Sequence, residues 1–407
     1  MRASFLPSRR WRGFHIPAAI LFALSTLLVI PGQGAVAAGQ TSNLQRAVMT
    51  YQAIQQNYYV PSVSLYRAYY PFTGGNPYSY VWPLSQAFAM TNDMAGLPHV
   101  GAQYSSDVLA RVTGLGHYYS SRGTAPNDNP IIDEAQFPSP PGYDSYVDPP
   151  LGGSGDKFYD DNDWIGLDFV QQYLMTGNAV ALSNAKEIWT LEMAGWDTNP
   201  SHPDPGGIFW TQAPWSQDRN TVSNAPAAEL GLQLFLITKD QMYFDEAMRS
   251  YNWVNTNMRA PNGLYWDHIS LNGTVNKVFW SYNQGTMIGA NVLLYRITGH
   301  TSYLDQAVQI ADDAVAYYGT AGRIWTQDPI FNAIFFRNLL QLSAVTGGQR
   351  YRQFIQSYAN QAWQLRDPKT GLIVWQPDQP LDVIQQAAMV QIYAMLSWNV
   401  KDYQKLT

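Results

Sequence analysis

Residues 298–348 read TGHTSYLDQAVQIADDAVAYYGTAGRIWTQDPIFNAIFFRNLLQLSAVTGG, and this stretch holds two helices of different kinds. In the first, Leu304, Ala307, Val308, Ala311, Val315 and Tyr318 recur at helical spacing and make a single apolar stripe. The second, from Ala333 to Val345, is apolar nearly all round. A helix without a polar face is buried on every side. Thr298-Gly299-His300 and Thr346-Gly347-Gly348 bound the pair, and Gly322-Arg323-Ile324-Trp325 separates its members. The unit is therefore turn, one-sided helix, Gly-aromatic loop, all-round apolar helix.

Working outward, the same unit recurs. Thr176-Gly177-Asn178 and Thr238-Lys239-Asp240 are further turns, and Gly207-Ile208-Phe209-Trp210, Gly263-Leu264-Tyr265-Trp266 and Gly371-Leu372-Ile373-Val374-Trp375 are further loops. A period of roughly 50 to 60 residues marks stacked supersecondary units. One-sided stripes lie at Phe244–Met258 and Tyr351–Leu365. All-round apolar helices are expected at Pro226–Ile237, Gly285–Ile297 and Ala387–Trp398. Leu44–Tyr58 and Ser105–Tyr118 as outer helices, with Pro83–Met94 and Asp161–Met175 as inner ones, bring the total to six pairs. The pattern predicts an all-α chain, an (α/α)6 toroid of six inner and six outer helices. A two-domain solenoid is the rival, but no linker follows the N-terminal segment. The Pro/Gly-rich stretch from Ser120 to Tyr159 lies inside the ring, and a loop that long in a compact domain is usually functional. It is expected to wall one side of a cleft.

The N-terminus has the form of an export signal: Arg2, Arg9, Arg10 and Arg12, an apolar run from Ile16 to Ile30, then Pro31 and the small residues Gly34 to Ala38. Arg12 departs from a twin-arginine signal, and an uncleaved anchor is the alternative to cleavage near Ala37 or Ala38. This reading divides the chain into a signal peptide at 1–38 and a single catalytic domain at 39–407, secreted and free of stable membrane association. Removing the four arginines takes the formal charge from −6 to about −10, which argues against nucleic-acid partners. The chain has no cysteine, so disulfide and thiolate chemistry are excluded. The 14 Trp and 27 Tyr exceed what a helical core needs, and flat rings with polar edges suit the apolar faces of sugars.

Parallel inner helices gather their N-termini on one rim. There stand Tyr80-Val81-Trp82, Asp160-Asp161, Asn220 to Asn224, Tyr282-Asn283-Gln284 and Phe331-Asn332. Adjacent carboxylates do not both ionise cheaply, so one holds its proton while the other is an anion. That asymmetry suits a glycosidase. The alternative for Asp160 is a helix N-cap, with Asp163 as an approximate capping-box partner. Asn220 and Asn224 suit either capping or sugar contact, Tyr282, Asn283 and Gln284 lean towards a site, and Trp210 and Trp266 suit stacking or packing. Asp312-Asp313 is a control: the same dipeptide inside an outer amphipathic helix reads as solvated. The six histidines show no metal-ligand spacing, and Asp128 to Asp133 lacks the rhythm of a calcium loop. No metal or organic cofactor is expected.

Pro141-Gly142-Tyr143-Asp144-Ser145-Tyr146, Lys157-Phe158-Tyr159-Asp160-Asp161-Asn162, Gly206 to Trp210, Asn220 to Pro226 and Tyr282 to Asn291 together resemble glycoside hydrolase family 76, the bacterial and fungal α-1,6-mannanases. The resemblance covers essentially the whole chain after residue 38. It implies an (α/α)6 barrel that hydrolyses α-1,6-linked mannan with retention, with Asp160 as nucleophile and Asp161 as acid/base. Two residues depart from it: Asp163 stands where many bacterial relatives have Ala, and Ala225 where many members have Gly. The expectation is a monomeric endo-acting enzyme on α-1,6-mannan or manno-oligosaccharides, with substrate contacts from Trp210, Asn220, Asn224, Tyr282, Asn283, Gln284 and Trp266. A mannan transglycosidase of cell-wall remodelling and an inactive glycan-binding toroid are the alternatives.

Overall fold

A computed structural model describes residues 41–121 and 140–407. The export signal and the segment Asp128 to Asp133 lie outside the described residues. Among the described residues, twelve α-helices alternate around a closed ring. The inner ones are α2 (Val81–Ala95), α4 (Tyr159–Thr176), α6 (Thr221–Thr238), α8 (Ser281–Thr298), α10 (Pro329–Thr346) and α12 (Val383–Met395). The outer ones are α1 (Asn43–Asn57), α3 (Ser105–Leu115), α5 (Ala179–Ala194), α7 (Gln241–Asn257), α9 (Thr301–Gly319) and α11 (Arg350–Trp363). Each inner helix packs on the next, and α12 returns to α2. The (α/α)6 toroid expected from the sequence is the fold observed.

The helix kinds explain the layering. Every residue of α10 from Pro329 to Ser343 is buried, whereas α9 buries one stripe that includes Ala307, Ile310, Ala311, Ala314 and Tyr318. The Thr turns end inner helices. Gly177, Gly299 and Gly347 take left-handed φ values of 71°, 72° and 70°, and Lys239 takes 63° at the same place. The hydroxyl of Thr176, Thr238 or Thr298 donates back to the carbonyl four residues earlier and accepts the N–H two residues on. Each repeated dipeptide thus closes one helix and aims the chain into the next.

Inner helices begin two to five residues before the sequence reading placed them. Pro226, read as the first residue of its helix, is the sixth of α6. The rim amides are consequently inside first turns, and the fourth residue of five inner helices is an amide: Asn162, Asn224, Gln284, Asn332 and Gln386. Asn224 accepts the N–H of Ile208 at 2.8 Å and donates to its carbonyl at 3.1 Å. Gln284 grips Tyr265 the same way at 2.8 and 3.0 Å, Gln386 grips Ile373 at 2.8 Å for both bonds, and Asn162 grips Tyr143 at 2.8 and 3.0 Å. Asn332 donates to Ile324 at 2.9 Å and accepts from the Ser281 hydroxyl. Ile208, Tyr265, Ile324 and Ile373 belong to the four Gly-aromatic loops, so these amides bolt each loop to the helix that follows it.

Gln284→Ala should therefore leave the buried N–H and carbonyl of Tyr265 unpaired. The expected cost is about 2 to 4 kcal/mol, from unsatisfied buried groups at roughly 1 to 3 kcal/mol each. Denaturant unfolding measures it, and a loss below about 0.5 kcal/mol would contradict the clamp.

Candidate active site

Five inner helix starts and the loops between them enclose a cleft of about 830 Å³. Asp160 and Asp161, the second and third residues of α4, line it side by side and are partly exposed to it. Asp160 is not an N-cap. Phe158 holds that position in an extended conformation, and no side chain caps the helix.

Local pairing fixes the start of α4. Phe158 bridges Thr211, the Tyr159 N–H donates to the Trp210 carbonyl at 3.0 Å, and the Gln212 N–H donates to the Lys157 carbonyl at 3.1 Å. Lys157 is fully buried and reaches Asp144 at 3.1 Å, tying the loop of residues 140–156 to the same strand. Ser145, Gly155 and Asp156 from that loop line the cleft, so its described part forms the wall expected of it.

This pairing brings the Trp210 indole over the first aspartate, where Nε1 donates to Oδ2 of Asp160 at 3.3 Å. Enclosure pushes the Asp160 carboxyl up to about 7, opposed by the Trp210 N–H and the backbone N–H groups of Asp161 and Asp160. Asp161 is raised well above the ordinary carboxylate range, first by enclosure and then by the charge of Asp160. The first anion therefore forms on Asp160, which has donors, while Asp161 keeps its proton.

The cleft collects some of the predicted residues and not others. Trp210, Asn220 and Tyr282 line it. The Asn220 side chain makes no capping bond, although Asn220 is the N-cap of α6. Asn224 and Gln284 are fully buried with their amides committed to the loop backbone, so they do not face the cleft. Asn283 is buried away from the lining, and Trp266 lies beneath Lys277, whose Nζ is 5.0 Å from the ring centre.

Trp82 and Phe331, expected on the rim, line the cleft as well, and so do Trp280, Trp215, Asp218, Asp267 and His268, which sequence reasoning did not place there. Trp82, Trp280 and Tyr282 gather around Phe331, with ring centres 5.9, 5.5 and 4.2 Å from it. Phe158, Trp210 and Trp215 form a second aromatic group; Trp215 lies 6.4 Å from Trp210 and is 54% exposed. A three-stranded antiparallel sheet (residues 218–220, 268–270 and 275–276) brings Asp218, Asp267 and His268 to the wall. His268 Nδ1 is 3.1 Å from Asp267 and Nε2 is 3.9 Å from Asp218. Burial opposes the imidazolium, but the hydrogen bond and charge of Asp267 and the charge of Asp218 prevail and raise its pKa. Among the described residues, no group of three or more His, Asp or Glu could hold a metal ion.

A toroid whose rim places adjacent carboxyls in an aromatic cleft has the frame of a glycoside hydrolase. The model of glycosyl hydrolase family 76 matches residues 110–399, and the chain belongs to that family. Mannan endo-1,6-alpha-mannosidase DCW1 of Candida glabrata is 35% identical over 103 residues, 23% of each chain. Its namesake in Saccharomyces cerevisiae is 28% identical over 149 residues, 33% of this chain and 32% of its own. The matches thus span about a third or less of these curated relatives. A family 76 mannosidase structure from Bacteroides thetaiotaomicron superposes with a TM-score of 0.73 at 24% identity, covering 87% of this chain and 98% of the other. An inactive α-1,6-mannanase variant from Salegentibacter, with two consecutive aspartates changed to asparagine and α-1,6-mannotriose bound, gives 0.68 at 21% identity, covering 88% and 99%.

Trp210→Phe removes one donor from Asp160 while keeping a ring in place. The Asp160 pKa should rise by up to about 1 unit, the order of a single charge-assisted hydrogen bond. Carboxyl ¹³C titration measures it, and an unchanged or lowered value would show that the 3.3 Å contact does not stabilise the anion.

Proposed function

We propose that this protein is an exported, retaining endo-α-1,6-mannanase acting as a monomer, with Asp160 as nucleophile and Asp161 as general acid/base. The observation that carries this reading is the unequal environment of the two neighbours: donors converge on Asp160, while the charge of Asp160 holds the proton on Asp161. The α-1,6-mannan specificity rests on family membership and on the names of the relatives. The inactive aspartate-pair variant of the Salegentibacter enzyme supports the same roles. Export rests on the N-terminal sequence; no helix among the described residues is long and apolar enough to cross a membrane.

In the first half-reaction an Asp160 oxygen attacks the anomeric carbon as the glycosidic C–O bond breaks. The Asp161 proton passes to the departing sugar oxygen. In the second half, the Asp161 carboxylate takes a proton from water, the water oxygen bonds to the anomeric carbon, and Asp160 leaves as the anion. Two displacements restore the α configuration. The aromatic groups exclude water and offer faces to sugar rings.

Asp160→Ala and Asp161→Ala should each lower kcat on α-1,6-mannan by about 10²-fold or more, the scale of a lost nucleophile or acid. Turnover comparable to wild type in either would remove that residue from the mechanism. Proton NMR of fresh digests should show the α-anomer first, and initial β-product would refute retention. The activity should decline as pH falls through about 7, because protonation removes the Asp160 nucleophile.

Trp215 extends the aromatic run outward from Asp160, and its exposed face suits a sugar one step further along the chain. Trp215→Ala should raise KM for longer manno-oligosaccharides by roughly fivefold, about 1 kcal/mol of lost ring contact. KM for the shortest cleavable substrate should stay within twofold of wild type. An equal rise for all lengths would place Trp215 at the reacting sugar instead.

A further inference from the structure

Two carboxyl groups beneath the cleft have no task in the reaction just described. Asp163 lies one helical turn below Asp160 on α4, is 0% exposed, and neither of its oxygens has a hydrogen-bond partner. Glu192 on the adjoining helix α5 is also 0% exposed with both oxygens unpartnered. The charge acting most strongly on Glu192 is that of Asp163, followed by Asp160 and Asp161. Facing Asp163 are Asp160 on its own helix and Glu229 on α6, both acidic. Arg337 of α10, the cation whose charge acts on Glu229, is itself engaged by Asp93 at 2.5 Å.

A buried carboxylate without a donor or counter-ion costs several kcal/mol, and protonation avoids that cost. Burial accordingly raises Asp163 and Glu192 well above the ordinary range, with the neighbouring carboxylates adding to the shift. We propose that Asp163 and Glu192 are a buried pair of neutral carboxylic acids that sets the alkaline limit of the cleft's activity. They are positioning residues, since they act on the reaction only through Asp160 and Asp161. The argument rests on the catalytic roles given above to those two aspartates.

The working state of the cluster carries one negative charge, on Asp160, and protons on Asp161, Asp163 and Glu192. As pH rises, the next proton can leave from any of the three acids. Loss from Asp161 removes the acid. Loss from Asp163 or Glu192 sets a second anion in a dry site and draws the remaining protons towards Asp160, which disarms the nucleophile. Three competing acids release that proton at a lower pH than Asp161 would alone. The same groups load stability with pH. A carboxyl whose folded pKa exceeds its unfolded value contributes fully below the unfolded pKa, near 4, and loses that contribution as pH rises towards the folded value.

Asp163→Asn and Glu192→Gln keep the shape of each acid and cannot ionise. The alkaline limb of kcat/KM on α-1,6-mannan should move up by about 0.2 pH unit in each and by about half a pH unit in the double variant, with the acid limb in place. At pH 8 each variant should melt about 3 °C or more above wild type, and at pH 4 the difference should vanish. An unmoved or lowered alkaline limb in both variants overturns the proposal. So does a lower Tm at pH 8 than at pH 4 relative to wild type, which would mean that both groups are anions in the fold. If wild type does not cleave α-1,6-mannan, the functional reading fails, and the Tm series alone then decides whether the pair is neutral.

Discussion

The amide clamps hold the architecture together where it is weakest. An inner ring of helices with almost no polar face must end in loops whose backbone groups still need partners in a dry rim. Asn162, Asn224, Gln284 and Gln386 solve this by pairing with both the N–H and the carbonyl of one loop residue, as a neighbouring strand would. Each occupies the same fourth position of its helix, so the second and third positions are left to face the cleft. At α4 those positions are Asp160 and Asp161. At α8 and α10 they include Tyr282 and Phe331, and at α2 Trp82.

Below the rim the ring is plugged by polar contacts instead of oil. Arg337 of α10 joins Asp93 of α2, Gln171 of α4 at 2.8 Å and Gln391 of α12 at 3.1 Å. Breaking such a buried pair from one side leaves an uncompensated charge, so these four helices are held in one register. The rim above is left as a shallow basin with aromatic walls. In that low-dielectric basin the hydrogen bonds of Trp210 and the α4 backbone decide which aspartate ionises first.

The sequence pattern made the two kinds of helix, their number and the position of the aspartate pair legible, because each depends on periodicity or on nearest neighbours. The rim amides were harder. Asn224 and Gln284 look like ligands when the helix is thought to start at Pro226 or Gly285, and like bolts once it starts at Thr221 or Ser281. A shift of a few residues rotates a side chain by several hundred degrees about the axis, so boundary errors move residues in and out of a site. Recurrence was the available signal: an Asn or Gln at one fixed place in five repeats is a structural habit. Asp218, Asp267 and His268 left no comparable trace. They meet only because Asp218–Asn220 pairs with His268–Ser270 across some fifty residues of chain. Trp215 and Trp280 were lost for a different reason, since a chain with 14 tryptophans offers too many aromatic candidates.

Asp312-Asp313 shows what the dipeptide itself contributes. In α9, Asp312 accepts from the Tyr351 hydroxyl at 2.8 Å and meets Arg350 at 2.7 Å, with its side chain 41% exposed. Asp313 accepts from Gln309, one turn away on the same helix. Exposure and separate local partners serve each carboxylate on its own. At Asp160-Asp161 the same two residues sit at a helix start under an aromatic roof, with Asp163 and Glu192 buried behind them. Their charges then interact across a poorly screened gap, and ionisation of one opposes ionisation of the other. The chemistry therefore resides in the dielectric and the donor set that the toroid imposes on an otherwise ordinary pair.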